Sequence, residues 1–365
     1  MQSRNLAYLP RLDHLRLVAV LLVFAFHLYH LDYRGFTPNP SAAWIAPIVE
    51  GHTGVALFFV LSGFIFMLIG LQGPIDYRGF LHNRLLRIAP LYLTVFVLAA
   101  SLGRDKFAAT DLLYVLVPNI GTPPTSDFFI TGTAWTIGVE FAFYLVFPFL
   151  CRFFLQSGWR YLLGLALVLA LFKLAAYFIV KNPTHFYYST LVGRFDQFLV
   201  GMAAARLYAE QGHRLARFAW PLMLGAVGAT YAALWSLARY ASFMSPDGHQ
   251  PLWIVWSAIE ALCWAAVIVA YLLLPVFRGR LADKADRLAR WGGSISFSFY
   301  LLHASVLFVL LHTLGVLQLT PWFAVNYLVN FALAFAACWG MATVSFLCIE
   351  KPFLQLRRQY VKPAP

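Results

Sequence analysis

Arg16 and His27 stand eleven residues apart in an apolar run, LRLVAVLLVFAFHLYHL, from Leu15 to Leu31. Eleven residues make about three helical turns, so in a helix the two share one stripe, roughly 16 Å apart along the axis. A guanidinium is a permanent cation suited to phosphate, and an imidazole is a general base near neutral pH. A membrane anchor needs neither, because ionisable groups at bilayer depth are expensive. A second pair, Arg84 and Arg87 in FLHNRLLRIAPLY, has the i, i+3 spacing that sets both guanidiniums on one helix face. Such a fork suits bidentate phosphate binding, although basic residues beside a span also serve topology alone. Glu140, in AWTIGVEFAFYLVFPF, is a carboxylate in an apolar run; beside His27 it would fix the imidazole tautomer and raise its basicity. Lys173, Arg194, Asp196, Glu260 and His303 are further ionisable residues in apolar surroundings. Glu260 and His303 read as a buried polar pair that serves packing, and Ser62-Gly63, with no base in sight, as a point of close helix approach. His30 reads as an interface residue.

The elements that must position these groups are membrane spans. Of 365 residues, 61% are hydrophobic, 17% aromatic and only 12% charged, with mean hydropathy +0.72. Soluble domains carry about twice that charged fraction. Repeated apolar runs of spanning length define an all-α polytopic membrane protein, and the absence of period-two alternation excludes a β-barrel. Ten spans are expected, at about 15–31, 54–71, 89–103, 135–151, 161–180, 191–209, 219–238, 252–274, 293–312 and 322–349, forming a single transmembrane domain, 1–365. Assigning Lys and Arg to alternate loops puts twenty on the side of the N-terminus and six on the other. That bias places both termini in the cytoplasm, as an even number of spans requires. It also accounts for the formal charge of +12 without nucleic acid. Cys151, Cys263, Cys338 and Cys348 lie in or beside apolar segments without metal-ligand spacing and read as thiols, with no metal site. The first run lacks a small-residue cleavage site and reads as a retained helix. The connection from about Arg104 to Ala134 is the longest on the outer side and is expected to cover an outward-facing cleft. With the N-terminus inside, His27 and Glu140 come to similar depth in the outer half of the bilayer.

Taken together the motifs resemble those of membrane acyltransferase family 3, whose members O-acylate bacterial surface glycans and related acceptors. LPRLDHLRLVAVLLVFAFHLYH is similar to the family's L-D-x-L-R start followed by Arg-x10-His. GVALFFVLSGFIF is similar to its G-V-x-L-F-F-V-L-S-G-F segment, and FLHNRLLRIAPLY to its R-x-x-R-I-x-P-x-Y segment through Arg84, Arg87, Pro90 and Tyr92. AWTIGVEFAFYLVFP matches a W-[ST]-x-x-x-E-x-x-F-Y-x-x-F-P element at Trp135, Glu140, Phe143, Tyr144 and Pro148. SFYLLHASV around His303 and IEKPF around Glu350 and Pro352 resemble the closing signatures. Two departures stand out: His14 replaces the glycine of L-D-G-L-R, and the frequent V-E-E-Q-F-Y becomes Val139-Glu140-Phe141-Ala142-Phe143-Tyr144, leaving Glu140 as the sole carboxylate. The fused SGNH-type domain of some members is not expected in these residues.

The resemblance implies transfer of an acyl group, most often acetyl, from acyl-CoA to a hydroxyl of a surface polysaccharide, lipid-linked glycan or related acceptor. The donor is a co-substrate and no cofactor is bound. The site expected from it has His27 as general base or acyl relay, Glu140 as its orienting carboxylate, and Arg16, Arg84 and Arg87 on the CoA phosphates. Asp13, Trp135, Tyr144 and His303 are supporting residues. The expected setting is the bacterial cytoplasmic membrane, with the lipid bilayer as surroundings, no nucleic acid partner, and homo-oligomerisation left open. A proton-coupled transporter or flippase of a glycan precursor is the alternative, since embedded His, Glu, Asp and Lys also serve carriers. The absence of a visible repeat and the clustering of basic residues at one mouth weigh against it.

Overall fold

A computed structural model describes residues 5–31, 37–102, 131–242, 244–245 and 247–361. The long connection expected to cover the outer cleft falls, over 103–130, outside the described residues. Among the described residues ten long helices follow one another: α1 (Pro10–Tyr29), α2 (Thr53–Gly70), α3 (Tyr77–Leu102), α4 (Thr131–Ser157), α5 (Trp159–Ile179), α6 (Leu191–Leu215), α7 (Ala219–Tyr240), α8 (Trp253–Leu273), α10 (Ser296–Leu314) and α11 (Phe323–Ser345). Helix α9 (Arg280–Ser294) stands between α8 and α10. Among the described residues eight stretches are apolar and long enough to cross a membrane, and one of them, Leu191–Tyr240, holds both α6 and α7. The chain is thus an all-α polytopic membrane protein.

Local signals set the helix ends. Pro10 opens α1, where its missing N–H is no loss, and Asp13 lies in the positive first turn. Thr190 caps α6 by accepting from the Gly193 N–H at 3.2 Å. Gly158 (φ 66°) and Gly315 (φ 69°) take left-handed conformations at the α4–α5 turn and after α10. Two elements differ from the expected spans. α3 begins a dozen residues before the expected 89, because Tyr77–Ile88 continues the helix, so Arg84 and Arg87 sit within it. The basic stretch taken for a loop forms α9, an amphipathic helix with Leu281 and Leu288 exposed, as an interfacial helix presents itself to lipid.

Helix α2 is the hub. In its apolar 18-residue window the stretch Pro40–Gly70 is 83% buried, against 11% for that of α5. A Cβ on Gly63 would lie 2.2 Å from the Phe198 carbonyl, and one on Gly201 equally close to that of Val60. This reciprocal seam brings α2 and α6 into backbone contact, as small residues do between membrane helices. α1 packs on α2, α9 and α10, whereas α4 packs on α2, α3, α5 and α6. The hub therefore stands between the helix of His27 and that of Glu140.

The buried ionisable residues of α5, α6 and α8 pair with one another. Lys173 donates to Asp196 (2.6 Å) and Ser257 (2.5 Å), and Arg194 and Gln197 both donate to Glu260, at 3.0 and 2.9 Å. Glu260 is thus paired with Arg194, not with His303 as the sequence suggested. Buried charges persist only when matched in this way.

Candidate active site

Three chain segments converge on a basic pocket. α1 supplies Arg16, whose guanidinium donates to Asp13; Asp13 also accepts from the Tyr8 hydroxyl at 2.8 Å. α3 supplies Arg84 and Arg87. The π turn Phe346–Glu350, which ends α11, delivers Glu350, and this carboxylate accepts from Arg87 at 2.8 Å and from Ser298. A π turn shifts side-chain directions relative to a regular helix, and here it directs a 1%-exposed carboxylate at an arginine. Arg84 lies among aromatic rings, 4.8 Å from Phe66, 5.6 Å from Phe80 and 5.9 Å from Tyr144, an arrangement that favours a cation. A cavity of about 150 Å³ is lined by Asp13, Arg16, Arg84 and Arg87 together with Arg357 from the C-terminal segment.

A second cavity, of about 130 Å³, shares Arg16, Arg84 and Arg87 with the first and is lined also by Ser62, Thr136, Glu140, Tyr144 and Tyr300. By this measure one water needs only about 10–15 Å³, so the space admits a slender chain. The Ser62 hydroxyl donates to Glu140 at 2.9 Å, and Thr136 and Tyr300 share a hydrogen bond of 3.0 Å. Gly63 makes the close approach read from the sequence, while Ser62 beside it holds the carboxylate. Trp135 lies outside this space, 5% exposed and packed 5.3 Å from the Tyr188 ring.

Tyr300 joins the cavity to the histidines. His303 Nδ1 donates to the Tyr300 carbonyl at 2.5 Å, and His303 Nε2 faces His27 Nδ1 at 3.2 Å. His27 Nδ1 also lies 2.8 Å from the Val23 carbonyl one turn earlier. A carbonyl can only accept, so both rings are assigned the Nδ1–H tautomer from their partners. His303 Nε2 is then an acceptor for the shared His27 Nδ1–H, and His27 is left with its basic lone pair on Nε2. The ring that orients His27 is therefore His303. Glu140 does not reach it: α2 intervenes, and the carboxylate turns to Ser62. His303 is fully buried.

Sequence reasoning left other polar groups unplaced. His30 is fully buried within the protein, with Nε2 3.0 Å from the Val49 carbonyl. Glu50 and His52, buried and paired at 2.8 Å, immediately precede α2. His14, the departure from the family motif, lies 2.8 Å from the Tyr271 hydroxyl and 3.1 Å from Asp286, tying α1 to α8 and α9.

Helices long and apolar enough to cross a membrane, arranged around a cavity lined by arginines and around a packed pair of histidines, define a multi-pass membrane protein. The family described as "Acyltransferase domain" matches residues 9–350, and the chain belongs to it. It is similar to the peptidoglycan O-acetyltransferase OatA of Listeria monocytogenes, 23% identical over 94% of this chain and 56% of that protein. It is similar also to acyltransferase MdmB of Streptomyces mycarofaciens, 29% identical over 38% of each chain, and to nodulation protein 10 of Rhizobium leguminosarum, 26% identical over 96% of this chain and 94% of that one. The chain spans 50%, 38% and 56% of the first three curated relatives it matches. No solved structure matches it.

Proposed function

We propose that the protein is an O-acyltransferase of the bacterial cytoplasmic membrane that moves an acyl group, acetyl above all, from acyl-CoA to a hydroxyl of a surface or lipid-linked glycan. The observation that carries the reading is that the two cavities share Arg16, Arg84 and Arg87 as lining, and that the second is lined by Tyr300, whose backbone holds His303 against His27. With both termini inside, the pocket opens toward the cytoplasm, where acyl-CoA is available. Arg16, Arg84 and Arg87 bind the phosphates as charge-assisted donors. The pantetheine arm threads the inner cavity, where Ser62, Glu140, Thr136 and Tyr300 offer partners to its two amides. This gives Glu140 a place on the donor path.

The thioester is thereby presented to the histidines. His27 Nε2 accepts the proton of the acceptor hydroxyl as its oxygen attacks the thioester carbonyl. The C–S bond breaks, the CoA thiolate takes up a proton, and the ester is released. His303 keeps the His27 ring in the Nδ1–H tautomer throughout. General-base catalysis of this kind contributes about a hundred- to ten-thousand-fold in rate. The test is release of free thiol from acetyl-CoA by purified protein in proteoliposomes with a glycan acceptor. His27→Ala is expected to lose that factor with folding intact. Undiminished turnover overturns the assignment, and substrate flux without thiol release makes the protein a carrier.

A further inference from the structure

The charges of the basic pocket do not balance. Arg16 is matched by Asp13 and Arg87 by Glu350. Arg84 and Arg357 have no carboxylate partner among the described residues, and the Nε atoms of both are buried without a hydrogen-bond partner. Both line the same cavity. Two uncompensated guanidiniums at one buried space carry a surplus of two positive charges, and a dianion removes it.

Arg357 is held there by a built arrangement. After the short helix Lys351–Gln355 the chain runs back along α3. The Asn83 side chain donates to the Arg358 carbonyl at 2.7 Å and accepts from the Arg358 N–H at 2.9 Å. The Asp76 N–H donates to the Tyr360 carbonyl at 2.8 Å. From the other end of the chain, Asn5 Oδ1 accepts from the N–H groups of Tyr360 and Val361, at 2.8 and 3.1 Å. Asn83 and Asp76 from one segment and Asn5 from another thus hold the backbone that immediately follows Arg357. Burial first, and then Arg84, Arg87 and Arg16, push the Arg357 guanidinium down to about 8. A bound anion relieves that cost.

We propose that Leu356–Val361 is a strap that inserts Arg357 as the fourth guanidinium of an anion pocket, and that the pocket takes a phosphate dianion between Arg84 and Arg357. That the phosphate belongs to CoA rests on the function proposed above; an anionic lipid headgroup offers the same chemistry.

The test is binding of inorganic pyrophosphate to the full chain in detergent, with CoA and phosphatidic acid as competitors. Wild-type protein binds pyrophosphate, and Arg357→Ala weakens it about ten- to a hundred-fold, the worth of a charge-assisted contact. Arg357→Lys recovers part of the loss. Asn5→Ala, which frees the strap without removing a charge, weakens binding several-fold and carries the test if Arg357→Ala does not fold. Unchanged pyrophosphate affinity in Arg357→Ala, or in Asn5→Ala, overturns the proposal. Competition by CoA supports the donor as the phosphate source. Arg357-dependent pyrophosphate binding that phosphatidic acid displaces and CoA does not upholds the pocket and overturns the donor reading alone.

Discussion

Removing His27, His303 and Glu140 singly and in pairs separates two neighbourhoods that sequence reasoning had merged. His27→Ala removes the proposed general base and is expected to lower kcat by about a hundred- to ten-thousand-fold. His303→Ala deletes the acceptor 3.2 Å from His27 Nδ1. Loss of a buried hydrogen-bond partner costs about 1–3 kcal/mol, and where that restraint is what orients the base, the cost appears as roughly five- to a hundred-fold in kcat. Because His303 acts only through His27, the double variant is no slower than His27→Ala alone, and the coupling energy equals the whole His303 effect, about 1–3 kcal/mol. Glu140→Gln acts on a different wall, beside Ser62, so its effect multiplies with that of His27→Ala. The assay is the initial rate of thiol release at saturating acetyl-CoA, with thermal unfolding as a control for integrity. Multiplicative His27 and His303 effects, with His27 and Glu140 strongly coupled, would place the carboxylate on the imidazole and refute the geometry.

Glu350→Gln keeps the shape of the side chain but leaves Arg87 without its counter-charge; it lowers stability by about 3 kcal/mol while increasing affinity for pyrophosphate, and an unchanged melting temperature would show that the Arg87–Glu350 pair contributes little. Lys173→Met strands Asp196 and destabilises by about 3–5 kcal/mol, whereas Lys173→Met with Asp196→Leu recovers most of the loss, as chemical denaturation in detergent reports. Gly63→Ala puts a methyl 2.2 Å from the Phe198 carbonyl and forces α2 from α6. It costs about 1–3 kcal/mol, read as a lower unfolding midpoint, and a wild-type midpoint contradicts the seam.

The all-helical membrane architecture was legible because composition and long apolar runs allow little else. The Arg16–His27 spacing and the Arg84–Arg87 fork were legible because helix geometry fixes what shares a face. Contacts between helices were not. Nothing in α1 or α4 alone says that α2 stands between them, so equal depth for His27 and Glu140 was mistaken for proximity. Nor does a span reveal that Glu260 turns to Arg194 and leaves His303 for His27. Arg357 was hidden for another reason: in a basic terminal segment, a residue that lines a pocket and one that sets topology are written alike. The polar and apolar periodicity of Arg280–Ser294 was present, but its basic residues led it to be taken for a loop.

The strap also sets an order of events. Asn5 is bonded to Tyr360 across 355 residues, and Arg87 to Glu350 across 263. Contacts so distant in sequence are the slowest to form. At roughly 5–20 residues per second, about twenty to seventy seconds of synthesis separate Arg16 from Arg357. Through that interval Asp13, three residues from Arg16, is already in reach, so one charge is matched within its own helix. The pocket itself cannot exist until α11 has been inserted and the chain behind it has returned to α3. A partly made chain can thus lodge its early helices in the bilayer and still lack the pocket, which arises only with the assembled molecule.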